Sequence, residues 1–316
     1  MQLLKNVTNI NFIARRKIAL VFSLALIIAG AYSLATKGLN YGIDFTGGTK
    51  MELVYPSAVD ITDVRNALVE EGYPEAVAQL FGSNNDVLIR IPISENNSSA
   101  QVSTEIVSLL GNRVGADLEV KSVEFVGPQF GQELFEKGIL ALVYALIGVM
   151  IYVAFRFEWK FSLGSVTALI HDIIITVGMF SLLGLEFTLP VLAALLAVIG
   201  YSLNDTIVVF DRIRENFRKL RETETEETMN VSINQTLPRT ILTSLTTLLV
   251  LTALYVYGGD ALTGFAATLI IGVLIGTYSS IFVASPTVLA LGAKAEDLMI
   301  EVVEKEGAEH PDLYRP

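Results

Sequence analysis

Long apolar runs alternate with short charged stretches along the whole 316-residue chain. Six of the runs approach or exceed the roughly 20 residues that a helix needs to cross hydrocarbon, where no water is present to pair an open backbone. They predict spans over Ile18–Thr36, Gly138–Phe155, Phe161–Gly184, Leu189–Phe210, Leu237–Tyr257 and Leu262–Leu291. Arg15, Arg16 and Lys17 precede the first run as they would precede a signal peptide. That run is long, however, and lacks a clean small-residue cleavage site, so it reads as a retained span.

Between the first two spans the period changes. Leu39–Tyr55 reads as extended, and Asp60–Glu71 opens with an acid and sets Val64, Leu68 and Val69 at helical spacing. Ala76–Phe81 and Val87–Ile91 read as strands around the turn Gly82-Ser83-Asn84-Asn85. Ser99–Asn112 repeats the helical pattern through Val102, Ile106, Val107 and Leu110, and Leu118–Val126 alternates as a half-buried strand does. The order β-α-β-β-α-β predicts a ferredoxin-like split unit. The fold class is therefore an all-α six-helix transmembrane bundle with a small α+β ferredoxin-like domain inserted between helices 1 and 2.

Lysine and arginine orient the spans, because short loops rich in them stay in the cytoplasm. One side receives Lys5 and Arg15–Lys17, the loop with Arg156 and Lys160, the stretch from Arg212 to Arg239 and the C-terminal tail. The opposite short loops, Leu185–Thr188 and Gly258–Ala261, have no Lys or Arg. The expected division is a cytoplasmic N-terminus over 1–17, helix 1 over 18–36 and a periplasmic domain over 37–137. Helices 2–6 follow over 138–291 with a cytoplasmic stretch at 211–236, and then a cytoplasmic tail over 292–316.

Composition narrows the chemistry. A hydrophobic share of 52% and a mean hydropathy of +0.54 fit a multi-pass membrane protein and not a soluble enzyme. The outer segment carries 15 acids against 7 bases, a poor match to nucleic acid. Cysteine is absent and there are two histidines, His171 and His310, so neither a thiolate site nor a multi-histidine metal centre is expected. There is no GxxxxGK[ST] loop, so energy for any transport must come from something other than a nucleotide held there.

A carboxylate inside a span costs about 2.5–3.5 kcal/mol on insertion scales and persists only with a partner or a function. Asp205 is such a group, roughly 9 Å along span four from Asp211 at its cytoplasmic end. Arg239 follows Pro238, whose place suits the first turn of span five. Antiparallel spans would bring Asp205 and Arg239 to similar depth, where burial and an opposing charge compete over the acid's protonation, as a proton relay requires. A static ion pair, or an arginine reaching to the interface, would fit the same residues. His171 and Asp172 lie near the middle of span three and form a second candidate relay or a packed polar contact; adjacent helix residues diverge by about 100° and need not share a partner. Asn204 fits a packing or orienting role. Asp211, Arg212 and Arg214 read as solvated anchors. Gly272 and Gly276 have the GxxxG spacing of close helix contacts, within the chain or between subunits.

Three stretches carry a family resemblance. The run Gly42-Ile43-Asp44-Phe45-Thr46-Gly47-Gly48, after the first span, resembles a signature of the SecD/SecF family. Chemically it reads as a junction, with glycines allowing positive φ and Asp44 free to cap a turn. The run from Gly200 through Asn204-Asp205 and Asp211-Arg212 to Asn216 resembles the family's fourth-span motif. Asn234-Gln235-Thr236-Leu237-Pro238-Arg239-Thr240-Ile241 resembles its entry into span five, and Val126-Gly127-Pro128 with Gly131 its entry into span two.

The resemblance covers nearly the whole chain and implies an auxiliary, non-enzymatic subunit of bacterial inner-membrane protein export, without a cofactor, driven by the proton-motive force. It implies SecD, the SecYEG translocon with its accessory membrane proteins, and exported preproteins as partners within the lipid bilayer. It also implies that an aspartate and an arginine in these motifs, Asp205 and Arg239, face an aspartate supplied by SecD. A small-solute exporter of the related resistance-nodulation-division type would carry two such units and larger outer domains. An intramembrane aspartyl protease would need a glycine-framed aspartate, which Asp205, after Leu203-Asn204, lacks. An inert scaffold remains the third alternative.

Overall fold

The computed structural model describes residues 8–92, 99–114, 117–220 and 223–293. A 3-10 turn at Ile13–Arg15 leads into α1 (Arg16–Lys37), which stops at Gly38, where φ is +72°. Then come β1 (Asn40–Tyr41), α2 (Ile43–Thr46), β2 (Gly48–Val54), α3 (Ile61–Glu70), β3 (Val77–Phe81), β4 (Ser83–Ile91), α4 (Ser99–Val114) and β5 (Glu119–Val126). The rest is α5 (Pro128–Arg156), α6 (Trp159–Leu183), β6 (Glu186–Phe187), α7 (Leu189–Lys219), α8 (Thr225–Tyr257), α9 (Asp260–Ser279), a π-helical turn at Ser280–Ala284 and α10 (Ser285–Ala290).

Among the described residues, six stretches are long and apolar enough to cross a membrane: α1, α5, α6, α7, α8 and the run from α9 into α10. Half of the apolar stretch of α6, α7 and α9 is buried, against 22% or less in α1, α5 and α8. The first three therefore form the centre of the bundle and the others its flanks. Lipid offers leucine no advantage in leaving it, so close contact between spans depends on small side chains. Gly30 of α1 meets Gly178 of α6 so closely that a Cβ on either would sit 2.9 Å from the other's Cα. On α9, a Cβ at Gly276 would lie 2.9 Å from Ser202 of α7, and one at Gly272 would run into Val198. The GxxxG spacing thus serves packing inside the chain.

Between α1 and α5, four strands form an antiparallel sheet in the order β3-β4-β2-β5. Met51, Leu53, Val87 and Ile89 point to the face that packs on Val64, Leu68, Ile106 and Leu110 of α3 and α4. Asp60 starts α3 by accepting a bond from the Thr62 amide at 2.8 Å, and this bond holds its carboxyl below the ordinary value. Ala67, not Val69, takes the inner position; Val69 is 56% exposed. Nor is Leu39–Tyr55 extended throughout, since the turn of α2 interrupts it, and Gly82 alone reverses the chain before β4, with φ +78°.

The sheet is fastened to one end of the bundle through α2. Asp44 Oδ2 accepts the Leu189 amide at 2.7 Å and so satisfies one of the free N–H groups at the start of α7. β1 pairs in parallel with β6, in the α6–α7 connection, and Arg90 of β4 reaches Glu186 at 2.9 Å. Gly47 (φ +71°) and Gly48 (φ +137°) make the sharp exit from α2; a Cβ at Gly48 would sit 2.5 Å from the Ile91 carbonyl. The sheet face away from α3 and α4 looks over a cleft lined by Lys50, Glu52, Lys121, Glu186, Pro190 and Gly259.

Pro238 is not in a first turn but inside α8, which begins at Thr225. The preceding turns are helical because they are packed: Thr228, Met229, Ser232, Ile233 and Thr236 are buried, and Asn234 bonds the backbone at Ile10 in both directions at 2.8 and 2.9 Å.

The α1–α6 crossing yields a direct test. Gly178→Val should overpack it and cost about 1–3 kcal/mol, lowering the unfolding midpoint in detergent. Gly148→Val, at a site with nothing within 4 Å, should leave that midpoint nearly unchanged.

Candidate functional site

Two acids lie in the bundle interior, and their surroundings differ. Asp172 is fully buried in α6. Its Oδ2 accepts the hydroxyls of Ser202 of α7 at 2.6 Å and Ser279 of α9 at 2.8 Å. Its Oδ1 lies 2.9 Å from His171 Nδ1. The buried face of α6 is wide enough to include both neighbours, and they bond to each other despite the angle between them. His171 Nε2 in turn lies 3.0 Å from Ser23 Oγ of α1, which is 3.0 Å from the Tyr278 hydroxyl; Tyr278 donates to the Ala19 carbonyl at 2.7 Å. One connected set of polar groups thus joins α1, α6, α7 and α9. Three bonds to its two oxygens are what a desolvated carboxylate needs, and the π-helical turn starts immediately after Ser279.

Asp205 stands one turn beyond Ser202 on α7 and is 3% exposed. Its Oδ2 has no hydrogen-bond partner. Arg239 is near enough to act on it electrostatically but forms no ion pair with it. The bond of Asn216 to Ser232 at 2.9 Å fixes the register of α7 against α8. Asp205 is eleven residues above that bond and Arg239 seven, so their backbones differ in depth by four residues, about 6 Å. Only the length of the arginine side chain brings its charge toward the acid. Two further buried hydroxyls, Tyr201 Oη, one turn before Asp205, and Thr240 Oγ1, next to Arg239, also have no partner.

The remaining sequence candidates lie apart from this core. Asn204 is exposed on the outer side of α7, although it adjoins Asp205. Asp211 pairs with Arg156 at 3.0 Å and Arg212 with Glu215 at 2.8 Å, all partly exposed at the end of α7. Asp44, Gly47 and Gly48 serve the junction described above, and Pro238 lies inside α8. Sequence reasoning missed Ser23, Ser202, Ser279 and Tyr278. The available signal was weak: hydroxyl residues within spans, Ser202 being one turn from an acid.

Against known proteins, residues 106–294 match the family model described as protein export membrane protein SecD/SecF, C-terminal, and residues 32–55 match the SecD/SecF GG motif. The chain is 47% identical over 312 residues to protein translocase subunit SecF of Vibrio alginolyticus, covering 99% of each. It is 48% identical over 290 residues to that of Pseudomonas aeruginosa, covering 92% of this chain and 94% of the relative. Among solved structures it resembles SecDF from Thermus, a translocon-associated membrane protein, with a TM-score of 0.82 and 41% identity over 92% of this chain. It spans 39% of that longer protein. Paired glycines after a short capping helix, a buried acid in the fourth span and near-full-length similarity agree: the chain is a multi-pass membrane protein belonging to the SecD/SecF family of protein-export membrane proteins.

Proposed function

We propose that the protein is an auxiliary subunit of the Sec protein translocase in the bacterial inner membrane, a transport component that uses the proton-motive force to promote preprotein export. The single observation that carries this reading is Asp205, a buried carboxylate with an unpartnered oxygen beside the charge of Arg239. A fixed structural acid would be expected to have the full bonding that Asp172 has. An acid left without it, under the influence of one movable cation, changes its balance when either helix shifts, and a protonation change then biases the two arrangements by the difference in its affinity for them. His171 and Asp172 form a second proton-bearing pair in the same bundle.

The reading extends to assembly and orientation. The similar Thermus protein is titled SecDF and is longer than this chain, which supports a SecD-type partner whose spans complete the site next to Arg239 on the exposed side of α8. The SecYEG translocon and exported preproteins are the further partners this role requires. Both chain ends lie in the cytoplasm, and residues 37–137 form a periplasmic domain of the ferredoxin-like split type. The sheet order β3-β4-β2-β5 and the charge-free α6–α7 and α8–α9 turns on the same side support this. Because Asp44 and Arg90 tie that domain to the α6–α7 connection, a shift of α7 reaches the domain without an intervening flexible linker.

Two measurements test these statements. In membrane vesicles carrying the translocase, Asp205→Asn should reduce preprotein export to its level without a proton gradient and leave gradient-independent export intact. Unchanged export would favour an inert scaffold, and altered drug efflux with normal export a small-solute exporter. The chain has no cysteine, so a single cysteine at Asp63 should react with a membrane-impermeant thiol reagent added outside the inner membrane. One at Glu227 should react only after the inner face is opened.

A further inference from the structure

The hydrogen bonds around His171 can be counted as well as measured. The Tyr278 hydroxyl has one hydrogen, and the Ala19 carbonyl 2.7 Å away can only accept it. The 3.0 Å bond between Tyr278 Oη and Ser23 Oγ is therefore donated by Ser23. That commits the one hydrogen of Ser23, so the 3.0 Å bond between Ser23 Oγ and His171 Nε2 requires a hydrogen on Nε2. Across the ring, the 2.9 Å bond between Nδ1 and Asp172 Oδ1 requires another, on one atom or the other. Ser202 and Ser279 donate to Oδ2 and supply nothing to Oδ1. A neutral imidazole facing a carboxylate holds one such hydrogen; the bonds present need two.

We infer that His171 and Asp172 together hold one proton beyond a neutral imidazole and a carboxylate, and that this proton completes the hydrogen-bonded chain running from Tyr278 and Ser23 through His171 to Asp172. The inference deepens the role given to this pair above and is independent of Asp205. Ser23, His171 and Asp172 are 5%, 6% and 0% exposed, so water does not replace a lost partner.

When the proton leaves, one of two bonds goes with it. Either Nδ1 and Oδ1 face each other as two acceptors, or the imidazole hydrogen moves to Nδ1, Ser23 turns its hydroxyl to Nε2, and the Ser23–Tyr278 bond is given up. The first route costs a bond within α6 and the second a bond between α1 and α9; the Ser23–His171 bond survives in both, and Ser33 and Ser181, bonded at 2.9 Å, also join α1 to α6. The titratable groups near the pair are Tyr278 on α9 and Tyr201 and Asp205 on α7. Tyr144 and Tyr152 of α5 are more than half exposed, and α1 offers none between Lys17 and Tyr32.

Solid-state NMR of the full chain in lipid bilayers tests this. Histidine is labelled with ¹⁵N and aspartate with ¹³C, and His310→Gln leaves His171 as the one imidazole. The carboxyl signal of Asp172 is identified by its loss in Asp172→Asn. At neutral pH, Nε2 should be protonated, together with either a protonated Nδ1 or a protonated Asp172 carboxyl. A bare Nε2, or a neutral Nε2–H imidazole beside an ionised Asp172, would overturn the inference. Tyr278→Phe should free the Ser23 hydroxyl and shift His171 toward the Nδ1–H form; an unchanged imidazole spectrum would sink the link through Ser23. Neither readout depends on export, so failure here is distinguishable from failure of the translocase reading.

Discussion

A carboxylate taken out of water must find its hydrogen bonds inside the protein or give up its charge. The bundle is built around two acids that meet this demand in opposite ways. Asp172 draws in one hydrogen-bond partner from each of three helices, α6, α7 and α9, and extends through His171 to a fourth, α1. Asp205, one turn along α7 from one of those donors, lacks a partner for Oδ2. The first is held by its surroundings and the second is poised against them. Because Ser202 and Asp205 share α7, neither acid can be rearranged without disturbing the other's helix.

Glycine contacts make this sharing tight. α7 lies against α9 at Gly272 and Gly276, and α6 against α1 at Gly178, so the central spans move as packed bodies and not as separate rods. The same α7 begins at an amide capped by Asp44, which belongs to the short helix leading into the sheet. A displacement at the depth of Asp205 therefore reaches the sheet along a single helix through that bond, and the buried Arg90 ties the sheet to Glu186 in the connection just before α7. This is a mechanical reason for a glycine pair near Asp44: the chain must turn from α2 directly into β2, and Gly48 lies so close to β4 that no side chain fits.

The sequence made the spans legible because apolar length is a strong signal, and the sheet strands because alternation is. It also singled out Asp205, since an acid in hydrocarbon is rare enough to be noticed alone. What it left hidden followed from tertiary packing. Pro238 reads as a helix start, yet the buried face of the turns before it, from Thr228 to Thr236, keeps the helix going. α2 was concealed within an apparently extended run, since a four-residue helix has no period to detect. Ser23, Ser202, Ser279 and Tyr278 are common residues in spans, and only the crossing of four helices assembles them around His171 and Asp172. The sequence suggested Arg239 as a neighbour of Asp205 at similar depth, but the Asn216–Ser232 bond sets a register about one turn off level and the two form no ion pair.

The central claim is that Asp205 gains and loses a proton within the membrane-embedded bundle. Infrared titration of the protein in liposomes tests it most directly, by comparing the wild type with Asp205→Asn. The account predicts a protonated-carboxyl band that appears and disappears within the pH range of a living membrane and is missing from the variant. A wild-type spectrum with no Asp205-dependent band changing across that range would contradict it.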